Sequence, residues 1–383
     1  MYDLLLKNGA LTNSEGELDG SIGDLAIKDG VIECIDKHIQ SEAKNTVDLK
    51  GLTVIPGLID YHAHFFSGGT NTSLEFASYL PTGVTNAVDA GSAGDSNMVS
   101  FFEILTERER RNTKFFLNVS SEGLSCLGEH AENIHPQYFN EKKIARLCKS
   151  YPEFIVGLKI RISADIADFS RTTSFEALRG AVRIADACGI RISVHMPDFQ
   201  GELSELIDIL RPGDIFCHVF TPHKGIIENG KLSREIFKGR EKGILFESAC
   251  GKGHFGHEVA ARAIQAGFLP DIISGDLTRN TFGYLPAVSL PYLMSRFMAM
   301  GMSFREVLRC VTTVPAKLMN CEGRFGCLQK GTVANIAIME RRQGKFFFDD
   351  IKNHEVKGEE LLIPMGTILD GEWVFNHINY FDR

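Results

Sequence analysis

The run Thr53-Val54-Ile55-Pro56-Gly57-Leu58-Ile59-Asp60-Tyr61-His62-Ala63-His64 joins an apolar, strand-like segment to two histidines one residue apart. Alternate side chains of a strand point to the same side, so both imidazoles can reach one metal ion. With 12 His in 383 residues, one such pair is unsurprising by chance. Its weight depends on whether further chemistry-bearing residues fall at equivalent points of the chain.

After this run, strand-like segments alternate with helix-like ones, the rhythm of a parallel sheet with crossover helices. The strands are expected to end near Asp60, Asp89, Ser120, Ile160, His195, His218, Ser248 and Gly275. Helical stretches include Phe175 to Cys188, Leu203 to Leu210, Val259 to Ala266 and Ser303 to Val311. About eight βα units match the usual ~250 residues of a (β/α)8 TIM barrel. The competing fold is an open doubly wound sheet, but no G-x-G-x-x-G follows the early strands. Gly68-Gly69 and Gly251-Lys252-Gly253 lack a P-loop spacing as well.

Both ends of the chain differ from this middle. Asp3–Gly9, Asp24–Gly30 and Val31–Ile35 read as short strands closed by Asn-Gly or Asp-Gly, strong hairpin signals. Similar texture returns in Ala334–Met339, Phe346–Phe348, Thr367–Gly371 and Trp373–Phe375. The expected α/β architecture is therefore a barrel over residues 53–329 with a small β-sandwich domain composed of 1–52 and 330–383.

Composition narrows the function. A chain 44% hydrophobic and 23% charged has the balance of a globular protein with a sizeable core. Its net charge of -8, without long basic runs, argues against nucleic acid as a partner. Cys34, Cys126, Cys148, Cys188, Cys217, Cys250, Cys310, Cys321 and Cys327 form no C-x-x-C pair and read as free thiols of a reducing compartment. The start of the chain lacks a basic, cleavable leader. No apolar stretch approaches the ~20 residues that span a bilayer. A cytoplasmic protein without a membrane partner is expected, and self-association into a homo-oligomer is compatible with this reading.

Active-site residues of a TIM barrel sit at the carboxyl ends of its strands. Here those ends carry His62 and His64, Lys159, His195, His218 and Asp276, on strands one, four, five, six and eight. Each has an ordinary structural reading. A strand-end histidine is commonly a hydrogen-bonded structural residue, and a lysine in an apolar strand snorkels to solvent or forms a Schiff base with a carbonyl substrate. An aspartate after a strand is commonly a turn or cap residue. Packing does not account for four histidines, a carboxylate and a lysine at one end of one barrel, and a metal site does.

The chain resembles the amidohydrolase superfamily, in its deacetylase or dihydroorotase-like group. The resemblance rests on Ile55–His64, Gly83–Gly94, Gly157–Arg161, Leu210–Ile215 and Gly267–Asp271. It implies two divalent metal ions, zinc by ligand type, although Mn, Fe or Co suit the same donors. His62, His64 and Asp276 would hold the first ion and His195 and His218 the second. Lys159 would bridge them as an N6-carboxylated side chain. A hydroxide shared by metals ~3.5–4 Å apart would attack the substrate carbonyl, with Asp276 as the catalytic proton carrier.

Arg161, two residues beyond Lys159, is a candidate to grip a substrate carboxylate, or else belongs to a rim salt bridge. His254, after strand seven, is a second substrate-binding candidate, whereas His257 is expected to pack on the next helix. Thr278, Arg279, Asn280, Ser92 and Asn118 are weaker rim candidates. Dihydroorotases typically carry an arginine two residues after H-x-H, where this chain has Phe66. The expected reaction is removal of an N-acyl or O-acyl group, acetyl by preference, from a small carboxylate-bearing molecule. Cyclic amide hydrolysis, as by a hydantoinase, is the alternative. A Schiff-base lyase using Lys159 and a non-catalytic relative are the readings from other classes.

Overall fold

Gly57 divides the apolar run that the sequence presents as one strand. A Cβ there would lie 2.1 Å from Thr85 Oγ1, so the chain passes too close for any side chain. Before it, Thr53–Pro56 pairs parallel with Tyr2–Thr12 and antiparallel with Ile336–Asp349. After it, Leu58–Ala63 pairs parallel with Val84–Asp89 and opens a different sheet. In this computed structural model residues 1–378 are described, so 379–383 of the expected carboxy-terminal sandwich segment lie outside the described residues.

The second sheet has eight parallel strands in chain order. They are Leu58–Ala63, Val84–Asp89, Thr113–Asn118, Ile155–Arg161, Arg191–His195, Ile215–Cys217, Leu245–Ala249 and Ile272–Ser274. Nearly every residue in them is buried, as expected where helices cover one face and barrel packing fills the other. That double burial is why they read as continuous apolar runs. The helices between them carry local stop and start signals. Ser174–Cys188, for example, begins on a Thr173/Glu176 capping box and ends at Gly189 in the left-handed conformation. The sheet closes where Ala63 bridges Leu277 in parallel and Asp276 N–H donates to His62 O at 2.8 Å. No helix among the described residues is long and apolar enough to cross a membrane.

The terminal sheet interleaves both ends of the chain. Asp19–Lys28 and Val31–Asp36 join Tyr2–Thr12 on one side of Thr53–Pro56, and Ile336–Asp349, Glu355–Leu369 and Glu372–Asn376 lie on the other. Ala43–Asp48, a strand the sequence does not announce, pairs parallel with Tyr2–Thr12. Asp29-Gly30 and Asp370-Gly371 make the expected tight turns. Asn8-Gly9 does not end its strand: Asn8 takes φ 56 and the strand continues through an irregular register.

Barrel and terminal sheet meet at a buried amide cluster. Asn335 Nδ2 donates to Asn86 Oδ1 and Asn112 Oδ1, both at 3.1 Å, and its Oδ1 accepts Asp370 N–H at 2.8 Å. Removing one member strands the others away from water. Asn335→Ala is expected to destabilise the protein by about 1–3 kcal/mol, read as a lower midpoint in denaturant or thermal unfolding.

Candidate metal centre

The carboxyl ends of the barrel strands bring His62, His64, Lys159, His195, His218 and Asp276 together, and all of these but His218 line one cavity. His62 and His64 leave the first strand on the same side, with ring centroids 5.4 Å apart. Their Nε2 atoms lie 3.6 and 3.2 Å from Asp276 Oδ1. Asp276 and His218 follow short strands and hold φ of 47° and 60°. Such left-handed backbone is uncommon for non-glycine residues and concentrates at functional sites. His195 ends the fifth strand with its ring 4.4 Å from His218. Lys159 is 1% exposed, and its Nζ lies 3.4 Å from Ser193 Oγ and 3.8 Å from Cys217 Sγ. Gly91, at φ 89°, makes room for it: a Cβ there would sit 2.6 Å from Lys159 Cβ.

Three donor sets converge within this floor, each with its ligand atoms within 4.8 Å of one another: His62/His64/Asp276, His195/His218/His254 and His62/Cys217/His218. His195 Nε2 and His218 Nε2 are fully buried without a hydrogen-bond partner. Buried polar atoms are rarely left so, and an electron-pair acceptor supplied by a divalent cation satisfies both. The donors therefore fit a metal.

The outer nitrogens of these rings are already engaged. His218 Nδ1 meets Ala249 O at 2.9 Å, His64 Nδ1 meets Ser92 Oγ at 3.0 Å, and His62 Nδ1 meets Glu247 Oε2 at 3.2 Å. Ser274 Oγ donates to the other Glu247 oxygen at 2.6 Å. An Nδ1–H held by an outer acceptor leaves Nε2 as the free electron pair, the arrangement found around metal-ligating histidines.

The electrostatics agree with that arrangement. Burial, then the neighbouring imidazoles, pushes His195 and His218 well below the usual histidine range, so both rings are neutral. Burial alone would raise the Asp276 carboxyl, but His62, His64 and His254 outweigh it and hold it below its ordinary value. Glu247 is held low in the same way, by His62, Lys159 and Ser274 against burial.

Above this floor the cavity measures about 300 Å³. Leu124, Leu127 and Ile166 give it an apolar wall, and Arg161, Lys252 and His254 line it with nitrogen. Arg161 faces the cavity, and its Nε donates to the buried Glu132 at 2.6 Å. The His254 ring lies edge-on to that of His195 at 4.9 Å and tilted over that of His218 at 4.2 Å. His257 starts the next helix and bonds to His354 O. Thr278 also lines the cavity, Asn280 is exposed, Arg279 N–H bonds to Thr72 O, and Asn118 bonds to Gly91 O. Phe66 does not line the cavity: it is buried and stacks on Phe101 at 4.5 Å.

Sequence reasoning missed Glu247, Ser193, Cys217, Glu132 and Lys252. Glu247 had a signal, being the only charged residue inside the apolar run Ile244–Ala249.

No family model matches the chain. A deacetylase of Brucella anthropi is 32% identical to it, over 82% of this chain and 78% of that protein. Among solved structures, a crystal structure of an adenine deaminase superposes with a TM-score of 0.87 at 25% identity, covering 97% of this chain and 99% of the other. A crystal structure of a dihydroorotase does so with 0.86 at 27% identity, covering 97% of each. With the barrel, its closure and the histidine-lined floor described above, these likenesses establish that the chain belongs to the amidohydrolase superfamily.

Proposed function

We propose that this protein is a metal-dependent deacetylase that hydrolyses an N-acyl or O-acyl group, acetyl by preference, from a small carboxylate-bearing molecule. The observation that carries this reading is the convergence of four buried imidazoles, Asp276 and Lys159 beneath a cavity that also presents Arg161. The deacetylase relative supports the reaction class.

In this reading His62, His64 and Asp276 hold one divalent ion and His195 and His218 a second, zinc by donor type. Lys159, whose Nζ lies 3.4 Å from Ser193 Oγ and 3.8 Å from Cys217 Sγ, would complete the set as an N6-carboxylated side chain. Among the described residues no carboxylate stands within ion-pair distance of its ammonium, and a buried unpaired cation is costly. N6-carboxylation would exchange that cation for an anion facing the imidazoles. Bound divalent ions supply Lewis-acid polarisation of the scissile carbonyl and acidify water at neutral pH.

The chain's own groups do the rest. Asp276, held ionised, accepts the proton of the attacking water and delivers it to the leaving nitrogen or oxygen. Glu132 fixes Arg161 through Nε, which leaves the terminal nitrogens to meet the substrate carboxylate. His254 contacts the substrate above the second histidine pair. Leu124, Leu127 and Ile166 exclude water around the acylated portion.

Metal analysis combined with a screen of N-acetyl and O-acetyl acids of both chiralities tests the proposal. Turnover of one such series by the metal-loaded protein is expected. Hydrolysis of cyclic amides with none of the acetylated acids would replace this reading with a hydantoinase-like one. Asp276→Asn is expected to retain most of its bound metal while kcat falls by about 100-fold or more, and an active Asp276→Asn protein would remove Asp276 from proton transfer. Glu247→Gln exchanges the acceptor that orients His62. Its affinity for metal, measured by competition with a chelator, should drop roughly 10–100-fold without loss of the fold.

A further inference from the structure

The loop 121–131 follows the third barrel strand and supplies Leu124 and Leu127 to the cavity wall. Its backbone winds in successive turns: Ser125 N–H donates to Glu122 O, Leu127 N–H to Leu124 O and His130 N–H to Cys126 O, at 3.0–3.3 Å. Winding of this kind places residues four apart on one face. Glu122, Cys126 and His130 have that spacing. A carboxylate oxygen, a thiol sulfur and an imidazole nitrogen from the three all lie within 4.8 Å of one another.

A second feature points to a ligand. His130 Nδ1 faces Ala131 O at 3.1 Å, while Nε2 is turned toward Glu122 Oε2 at 3.5 Å. With Nδ1 taken by the backbone carbonyl, Nε2 is the ring nitrogen turned toward the other two donors and free to meet a metal as a histidine ligand does. Cys126, 3% exposed, lies beneath the two exposed partners and closes the base of the set. Its Sγ lies 3.8 Å from Gly123 O, where the thiol proton is donated. The contact between Glu122 and His130 accounts for the two exposed groups, but it gives the sulfur beneath them no part.

We propose that Glu122, Cys126 and His130 form a separate site for one zinc-like divalent cation on the loop that walls the cavity. Binding exchanges the Cys126 S–H bond for a sulfur–metal bond and releases that proton to solvent, and water fills the remaining position. Mixed sulfur, nitrogen and oxygen donors suit Zn2+ over Mg2+ or Ca2+. The cation ties loop positions 122, 126 and 130 to one point and so fixes Leu124 and Leu127 between them. The tie reaches the barrel floor, because Leu124 N–H donates to Ser92 O at 3.0 Å and Ser92 Oγ bonds to His64 Nδ1 at 3.0 Å. The site thus acts as a cation-set brace on one wall of the cavity, whichever molecule that cavity accepts.

Cobalt makes the site visible, since a thiolate bound to Co2+ absorbs in the near ultraviolet and carboxylates and imidazoles do not. The full-length protein reconstituted with Co2+ is expected to show this band. The band should persist in Cys217→Ser, which removes the thiol at the barrel floor, and vanish in Cys126→Ser together with about one equivalent of bound metal. His130→Gln alters an exposed side chain and leaves folding intact. Loss of a direct ligand there should raise the Co2+ concentration that half-develops the band by at least the roughly tenfold that loss of a supporting hydrogen bond costs. Absence of the band in the wild-type protein overturns the proposal. So does a band that survives Cys126→Ser and disappears in Cys217→Ser, because that places the cobalt thiolate inside the barrel.

Discussion

The cavity floor depends on the seam where the first and last barrel strands close the sheet. Only there does Asp276 come within reach of His62 and His64, more than half the chain away. The seam is sparsely bonded, with the Ala63–Leu277 bridge and the Asp276 N–H to His62 O bond across it. Asp60 makes up the shortfall. Its Oδ1 accepts Gly275 N–H at 2.9 Å and His62 N–H at 3.3 Å, so one carboxylate holds both sides. Complete burial pushes this carboxyl up to about 7, a sign of the cost of keeping it there. A close approach is also built into the backbone, since a Cβ on Gly275 would lie 2.5 Å from Asp60 Oδ2.

A polar layer this deep is stable only when its members satisfy one another. Glu247, Ser274 and His62 form one such chain inside the barrel, and Ser92 with His64 forms another. Glu132 and Arg161 form a third at the rim. Each ends on a group that faces the cavity. His195 Nε2 and His218 Nε2, left unsatisfied among these chains, face the place where a cation can complete them. Stability and metal affinity therefore draw on the same hydrogen bonds.

Much of this was legible from residue order alone. Doubly buried strands announce themselves as apolar runs, and the eight observed strand ends fall close to the expected ones. The residues expected on the floor converge there because a parallel barrel points all its strand ends the same way. What escaped did so for physical reasons. Thr53–Pro56 and Leu58–Ala63 are equally apolar, so nothing in composition reveals that Gly57 passes the chain from one sheet to the other. Ala43–Asp48 is mostly polar and exposed, which hides a strand. The Glu132–Arg161 pair joins a loop to a strand 29 residues away and has no local signature. The packing of Phe66 on Phe101 could not be read from the chain.

The terminal sheet gives the chain a clasp whose halves are made far apart in synthesis. Thr53–Pro56 precedes the barrel, yet its antiparallel neighbour Ile336–Asp349 arrives only after all eight barrel strands have been translated. Asn86 waits for Asn335 across 249 residues. At about 5–20 residues per second, that interval is on the order of tens of seconds, during which an apolar strand edge stays unpaired on the nascent chain. An open edge of this kind is a template for wrong partners. That edge of Thr53–Pro56 is covered only when Ile336–Asp349 has been made and pairs with it.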